Sequence, residues 1–142
     1  MADKLRVLFI CTHNSARSQM AEGWLRVRHG DRFEAHSAGT EATGVRPLAI
    51  RAMRDVGADI SEQESKTLDR YLNEPWDYVI TVCDDANQVC PVFPGGRHRL
   101  HWSIPDPSLA TGTDDEQLAM YERVRDDLRQ RIEDLVSSAS AE

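Results

Sequence analysis

The sequence predicts an α/β fold, a four-stranded parallel sheet flanked by helices, in one domain spanning residues 1–142. Short, almost continuously apolar runs rich in branched residues read as buried strands. They alternate with segments of helical periodicity, the pattern of a parallel sheet with crossover helices. The chain also has 142 residues with no repeat, linker or low-complexity tract, a length that suits one core.

Leu5-Arg-Val-Leu-Phe-Ile-Cys11 is the first strand. Ala16, Met20, Trp24 and Val27 recur at helical spacing, with Gly30 as a stop signal. Phe33 to Ala38 forms a second strand. Pro47 suits the first position of a helix carrying Ile50, Met53 and Val56 on one face and ending at Gly57. Ser65 to Leu72 reads as a short helix, Asp77 to Val82 as the third strand ending at Cys83, and Arg97 to Trp102 as the fourth. From about Asp114 a stripe of Leu118, Tyr121, Val124, Leu128, Ile132 and Leu135 marks the last helix, with the tail from Ser137 expected to fray.

The 24 acidic and 17 basic residues give a net charge of −7, which argues against nucleic-acid binding, because neutralising phosphates needs a basic face. The apolar run Val7 to Cys11 is too short for a membrane span or a signal segment. A cytoplasmic monomer without a membrane partner is expected. Three cysteines, Cys11, Cys83 and Cys90, fit no secreted disulfide framework. In a reducing compartment, thiols are more often catalytic, metal-binding or simply buried.

Cys11-Thr12-His13-Asn14-Ser15-Ala16-Arg17-Ser18 joins the first strand to the first helix. Ligands of open α/β sheets bind outside the carboxyl ends of the strands, and a helix N-terminus there offers free N–H groups and positive partial charge to an oxyanion. Cys11 in this position should be acidified well below the ordinary thiol value of about 8.5, making it a thiolate nucleophile. Arg17 can fork onto two oxygens of a tetrahedral oxyanion. Wrapping amides around an anion requires a left-handed residue. The loop has no glycine, so Asn14 is expected to have positive φ. Ser18 is placed to donate its hydroxyl to Cys11. The loop lacks the glycines and the GK[ST] ending of a nucleotide-binding loop.

The C-x5-R-S signature after the first strand resembles the phosphate loop of low-molecular-weight protein tyrosine phosphatases and of the arsenate reductases built on that fold. Ser-Gln-Met-Ala-Glu-Gly-Trp after the loop, Ser37-Ala-Gly39 and Asp106-Pro107 lie where those reductases carry them. The resemblance runs from Val7 to the last helix. It implies a flavodoxin-like sheet order 2-1-3-4 and assigns Asp106, held between Pro105 and Pro107, as the general acid. Phosphatases of this fold follow Asp-Pro with tyrosines, whereas Ser108 and Leu109 follow here, a departure that counts against a tyrosine phosphatase.

Given that resemblance, the expected chemistry is the reduction of arsenate by a three-cysteine cascade. Cys11 attacks arsenate while Asp106 protonates the leaving oxygen. Cys83 attacks the Cys11 sulfur and releases arsenite; Cys90 then takes over Cys83 and frees Cys11. No bound cofactor is expected. The resemblance implies that thioredoxin reopens the bridge with electrons from NADPH through thioredoxin reductase. If residues 83–90 were helical, their α-carbons would stand about 10.5 Å apart at about 1.5 Å per residue, beyond the ~7 Å that a disulfide tolerates. Bridging therefore requires that segment to unwind and should bring the bridge to the surface.

Other readings stand beside this one: structural buried thiols, and a zinc site of Cys83, Cys90, His98 and His101 whose spacing is unlike usual zinc pairs. A phosphatase using Cys11, Arg17 and Asp106 alone is the alternative function, weak phosphatase activity being expected in either case, and a non-enzymatic oxyanion or redox sensor is the third. Some reductases of the family hold a monovalent cation beside the loop. Asn14, Glu22 and Ser37 match three of its ligands, and Lys66 stands at the acidic position, where an ammonium would replace the ion. No metal is expected. His13 faces solvent or adds charge to the loop.

Overall fold

The structure, a computed structural model, describes residues 4–83 and 93–140. In chain order the elements are β1 (Leu5–Cys11), α1 (Arg17–His29), β2 (Phe33–Gly39), α2 (Pro47–Arg54), a 3-10 turn (Leu68–Tyr71), β3 (Tyr78–Cys83), β4 (His98–Ser103), a second 3-10 turn (Pro107–Leu109) and α3 (Asp114–Ser140). The strands form one sheet in the order β2-β1-β3-β4, and every pairing is parallel.

The unbroken apolar run of β1 follows from burial on both faces. Val7 and Phe9 join Ile80, Val82, Trp102 and Ile104 beneath residues of α1, α2 and α3. Leu8 and Ile10 point the other way, into a smaller cluster with Val79, Tyr71, Trp76 and Phe93. The α3 stripe behaves as predicted: Leu128 and Ile132 are fully buried, and truncating either to alanine should cost about 2–5 kcal/mol. Trp24 adds a directional tie, donating from Nε1 to the Arg125 carbonyl at 2.9 Å.

Helix α3 starts at a capping box. Thr113 Oγ1 accepts from the Glu116 amide, and Glu116 Oε1 accepts from the Thr113 amide, both at 3.2 Å. The tail expected to fray from Ser137 instead continues α3 to Ser140, with Ala139 buried; apolar anchoring of the last turn outweighs the weak helix preference of its serines. The helix expected over Ser65 to Leu72 shrinks to the 3-10 turn at Leu68–Tyr71. The Gly39 amide donates to the Lys66 carbonyl at 2.9 Å, and Gly39 bridges Thr67 in parallel, which holds this stretch extended. Gly57 ends the α2 region with φ +82, whereas Gly30 stays right-handed at φ −65.

In this strand order the chain reverses direction across the sheet between β1 and β3, where ligands collect at the strands' carboxyl ends. The Cys11–Ser18 loop sits there.

Candidate active site

The loop is shaped by a strap, residues 40–46, that collects its carbonyls. Thr12 O accepts from the Glu41 amide (3.0 Å), His13 O from the Thr43 amide (3.3 Å) and Ser15 O from the Arg46 amide (2.8 Å). Asn14 O accepts from Ser65 Oγ at 2.9 Å and Gln19 Nε2 at 3.1 Å. Each trans peptide aims its C=O and the following N–H in opposite directions. With the carbonyls of residues 12 to 15 drawn outward, the amides of residues 13 to 16 therefore turn inward and form an anion cradle.

Asn14 has φ +50, the one non-glycine residue with positive φ among the described residues. Its side chain carries the site's polarity. The Lys66 amide, which can only donate, meets Asn14 Oδ1 at 2.7 Å. Asn14 Nδ2 must therefore donate to Ser18 Oγ, 2.8 Å away. Ser18 Oγ lies 2.8 Å from Cys11 Sγ, so its own proton is left to point at sulfur. The Cys11 sulfur thus receives a hydrogen bond from Ser18. Cys11 is free and 2% exposed.

Arg17 is 3% exposed, with Nη1 donating to the Ile104 carbonyl at 2.9 Å and Nη2 3.6 Å from Asp106 Oδ2. Asp106 Oδ1 accepts from the amide and hydroxyl of Ser108, at 2.9 and 2.7 Å. Oδ2 is left beside the arginine. Ser15 and Ala16 are buried in the loop wall. His13 is part-exposed, 3.4 Å from Glu41, so it faces outward. The Thr12 hydroxyl is buried without a hydrogen-bond partner among the described residues.

Glu22, Ser37 and Lys66 meet behind the loop. Ser37 Oγ donates to Glu22 Oε1 at 2.6 Å, and the Lys66 ammonium lies 3.6 Å from the same oxygen while donating to the Glu64 carbonyl. Burial pushes the Lys66 ammonium below its ordinary value, and Glu22 opposes that shift. Asn14 touches Lys66 through backbone rather than through the ammonium.

Cys83 ends β3, the neighbour of β1. Ile10 is in register with Thr81, so Cys11 is level with Val82 and Cys83 lies one residue further. At about 4.8 Å between strands and 3.3 Å per residue, the two cysteine α-carbons stand about 6 Å apart. Residues in register share a face, and Cys83 therefore points to the face opposite Cys11. It is disulfide-bonded and completely buried. Cys83 thus lies beside the loop on the adjoining strand, with its side chain buried on the other face of the sheet. Cys90 lies outside the described residues. His98 and His101, three apart on β4, project to opposite faces of the sheet, which argues against their sharing one zinc ion.

Sequence reasoning missed the packing role of Gly39. A Cβ there would stand 2.7 Å from the Cys11 and Thr12 carbonyl oxygens and 2.8 Å from the Asn14 amide. The signal was present in Ser37-Ala-Gly39 as a small residue closing a strand, but the atoms that crowd it come from elsewhere in the chain. Gln19 and Gln63 were also passed over, because a buried glutamine leaves no spacing signature.

The family model for low molecular weight phosphotyrosine protein phosphatases matches residues 6–142. A protein of Halalkalibacterium halodurans named arsenate reductase is 48% identical over 130 residues, covering 92% of this chain and 94% of the relative. A solved structure described as an arsenate reductase in the phosphate binding state superposes with a TM-score of 0.80 at 31% identity, covering 94% of this chain and 98% of that one. A thioredoxin-dependent arsenate reductase of Corynebacterium glutamicum gives a TM-score of 0.70 at 31% identity, covering 99% of this chain and 65% of that one. With the family model spanning residues 6–142 and a relative 48% identical over nine-tenths of the chain, the chain belongs to the low molecular weight phosphotyrosine protein phosphatase family.

Proposed function

We propose that this protein reduces arsenate to arsenite through Cys11, Cys83 and Cys90, with thioredoxin restoring the dithiol. The observation that carries the reading is Cys83: one residue past Cys11 on the adjoining strand, held in a disulfide while Cys11 stays free beside Ser18. A hydrolytic phosphatase has no use for a second redox-active thiol at that place. The names of relatives near half identity support the same substrate, and the thioredoxin-dependent structural relative supports the reductant.

In the first step the Cys11 thiolate attacks arsenic of an arsenate held by the inward amides and Arg17. Asp106 protonates the departing oxygen, which leaves as water, and an S–As bond forms. General-acid assistance of this kind contributes about 10²–10⁴-fold. Next the Cys83 thiolate attacks the Cys11 sulfur. The S–As bond breaks with its electron pair passing to arsenic, arsenite departs, and a Cys11–Cys83 disulfide remains. Because Cys83 faces away from the loop, this step requires the end of β3 to turn. Cys90 then attacks Cys83, expelling the Cys11 thiolate, which Ser18 and the loop amides stabilise as a leaving group. The closing dithiol exchange consumes one thioredoxin, itself reduced with NADPH through thioredoxin reductase. Phosphorus(V) accepts no electrons from this sequence, so phosphate esters are only hydrolysed, weakly.

Lys66 serves in this reading as a resident cation beside Glu22, replacing a bound monovalent ion. Added potassium then leaves the kinetics unchanged; clear activation by potassium would remove Lys66 from this role.

The deciding experiment couples NADPH oxidation through thioredoxin reductase and thioredoxin, with and without arsenate. Wild type sustains arsenate-dependent turnover, while Cys83→Ser and Cys90→Ser lose it and keep hydrolysis of a small aryl phosphate. Unchanged turnover in either variant would overturn the cascade. A single substoichiometric burst in wild type would favour a sensor.

A further inference from the structure

The hydrogen-bond chain that ends on Cys11 continues outward beyond Asn14, and its direction is set by groups that act in only one sense. Arg26, an exposed residue of α1, donates from Nη2 to Gln63 Oε1 at 2.9 Å; a guanidinium has no acceptor. Gln63 therefore turns Nε2 inward, donating to the Gln19 carbonyl at 3.0 Å and to Gln19 Oε1 at 2.8 Å. Gln19 is completely buried. With its oxygen occupied, its Nε2 faces Asn14 and shares its two protons among Asn14 Oδ1 at 2.9 Å, the Asn14 carbonyl at 3.1 Å and the Glu64 carbonyl at 2.8 Å. Asn14 passes the polarity to Ser18, and Ser18 to sulfur. Three side-chain amides and one hydroxyl thus stand head to tail between a permanent cation and the nucleophile.

We propose that Arg26 is a remote positioning residue for Cys11, acting through Gln63, Gln19, Asn14 and Ser18 to strengthen the hydrogen bond that the thiolate receives. Aligned hydrogen bonds polarise one another by roughly 10–30% per bond, and most where water is excluded. Burial of Gln19, Asn14 and Ser18 meets that condition. The other charges near the relay are already engaged. Asp59, whose carbonyl also accepts from Arg26, has its carboxylate on Ser61 and lies near Arg54. Glu64 pairs with Arg70, Lys66 with Glu22, Arg17 with Asp106 and His13 with Glu41. The proposal rests on Cys11 being the nucleophile, and not on arsenate being the substrate.

The test follows alkylation of Cys11 by iodoacetamide in the reduced full-length protein, as a function of pH, by mass spectrometry of the Cys11 peptide. Arg26→Met and Gln63→Met should each move the midpoint upward by roughly half a pH unit. The double variant should match Gln63→Met alone, because a broken relay no longer transmits the arginine. Arg26→Lys, which still donates, should recover most of the shift. Arg26→Met sits at an exposed position and carries the test if Gln63→Met fails to fold: its shift should persist at about 1 M salt, where an exposed charge acting through space is screened. An unmoved midpoint, additive shifts in the double variant, or a slower rate at an unchanged midpoint would each overturn the relay. If wild-type Cys11 alkylates without a pH midpoint, it is the nucleophile assignment that fails.

Discussion

The Ser18 hydroxyl lies 2.8 Å from the Cys11 sulfur and takes its own incoming hydrogen bond from Asn14 Nδ2, also at 2.8 Å. One donor is thereby dedicated to a buried sulfur, and a hydrogen bond to a charged group contributes about 1.5–3 kcal/mol. Ser18→Ala should lower the first-step rate by about 10- to 100-fold. It should also move the pH dependence of Cys11 alkylation upward and, by leaving the buried Asn14 Nδ2 without its acceptor, lower stability by about 1–3 kcal/mol in thermal unfolding. Stopped-flow measurement of the first turnover across pH checks both.

Gly39→Ala tests the cradle from outside. The added Cβ meets three backbone atoms at 2.7–2.8 Å, and backbone cannot swing aside as a side chain can. The loop must open or β2 must shift, so oxyanion affinity should fall at least tenfold and stability by about 1–3 kcal/mol. Phosphate inhibition constants and thermal unfolding measure the two effects. Wild-type affinity in this variant would mean that the strap, not Gly39, sets the loop's shape.

Asp106→Asn leaves an oxygen to accept from Ser108 and removes the transferable proton together with the carboxylate charge beside Arg17. Turnover should fall by about 10²–10⁴-fold, with little change in oxyanion binding or melting temperature. Loss of binding together with rate would instead assign Asp106 to holding Arg17, 3.6 Å away.

Glu34 offers a pH test away from chemistry. Its hydrogen bond from Arg6 at 2.8 Å, with a second contact to His36, holds its carboxyl below the ordinary value of 4.5. A lowered folded-state value means that the unfolded chain binds the proton more readily. The stabilisation is therefore complete above about pH 4.5 and disappears as pH falls through the folded value. Because both partners reach solvent, Glu34→Gln should cost less than about 1 kcal/mol at pH 7. The difference should vanish under more acidic conditions, as read by denaturant unfolding across pH.

Much of the site was legible before any coordinates, because its chemistry is compressed into eight consecutive residues. Asn14 was assigned positive φ from the absence of glycine in a loop that must turn its amides inward, and φ is +50. Ser18, expected to donate its hydroxyl to Cys11, lies 2.8 Å from the sulfur. Strands β1 and β3 were legible because burial on both faces leaves near-continuous apolar runs; the 3-10 turn at Leu68–Tyr71 was not, because a backbone bridge to Gly39 overrides its local preference.

The linear order of residues determined which groups exist and which share a loop: a thiol, a left-handed asparagine, an arginine and a serine at the mouth of a parallel sheet. The tertiary structure decided what that order could not encode, namely which way each of them points. Pleating sends Cys83 to the face away from Cys11 although their strands adjoin. A polarity running from Arg26 to sulfur depends on contacts across 44 positions of chain between Gln63 and Gln19. Direction and contact between distant segments come from packing and hydrogen-bond geometry in three dimensions, whereas periodicity along the chain records only burial.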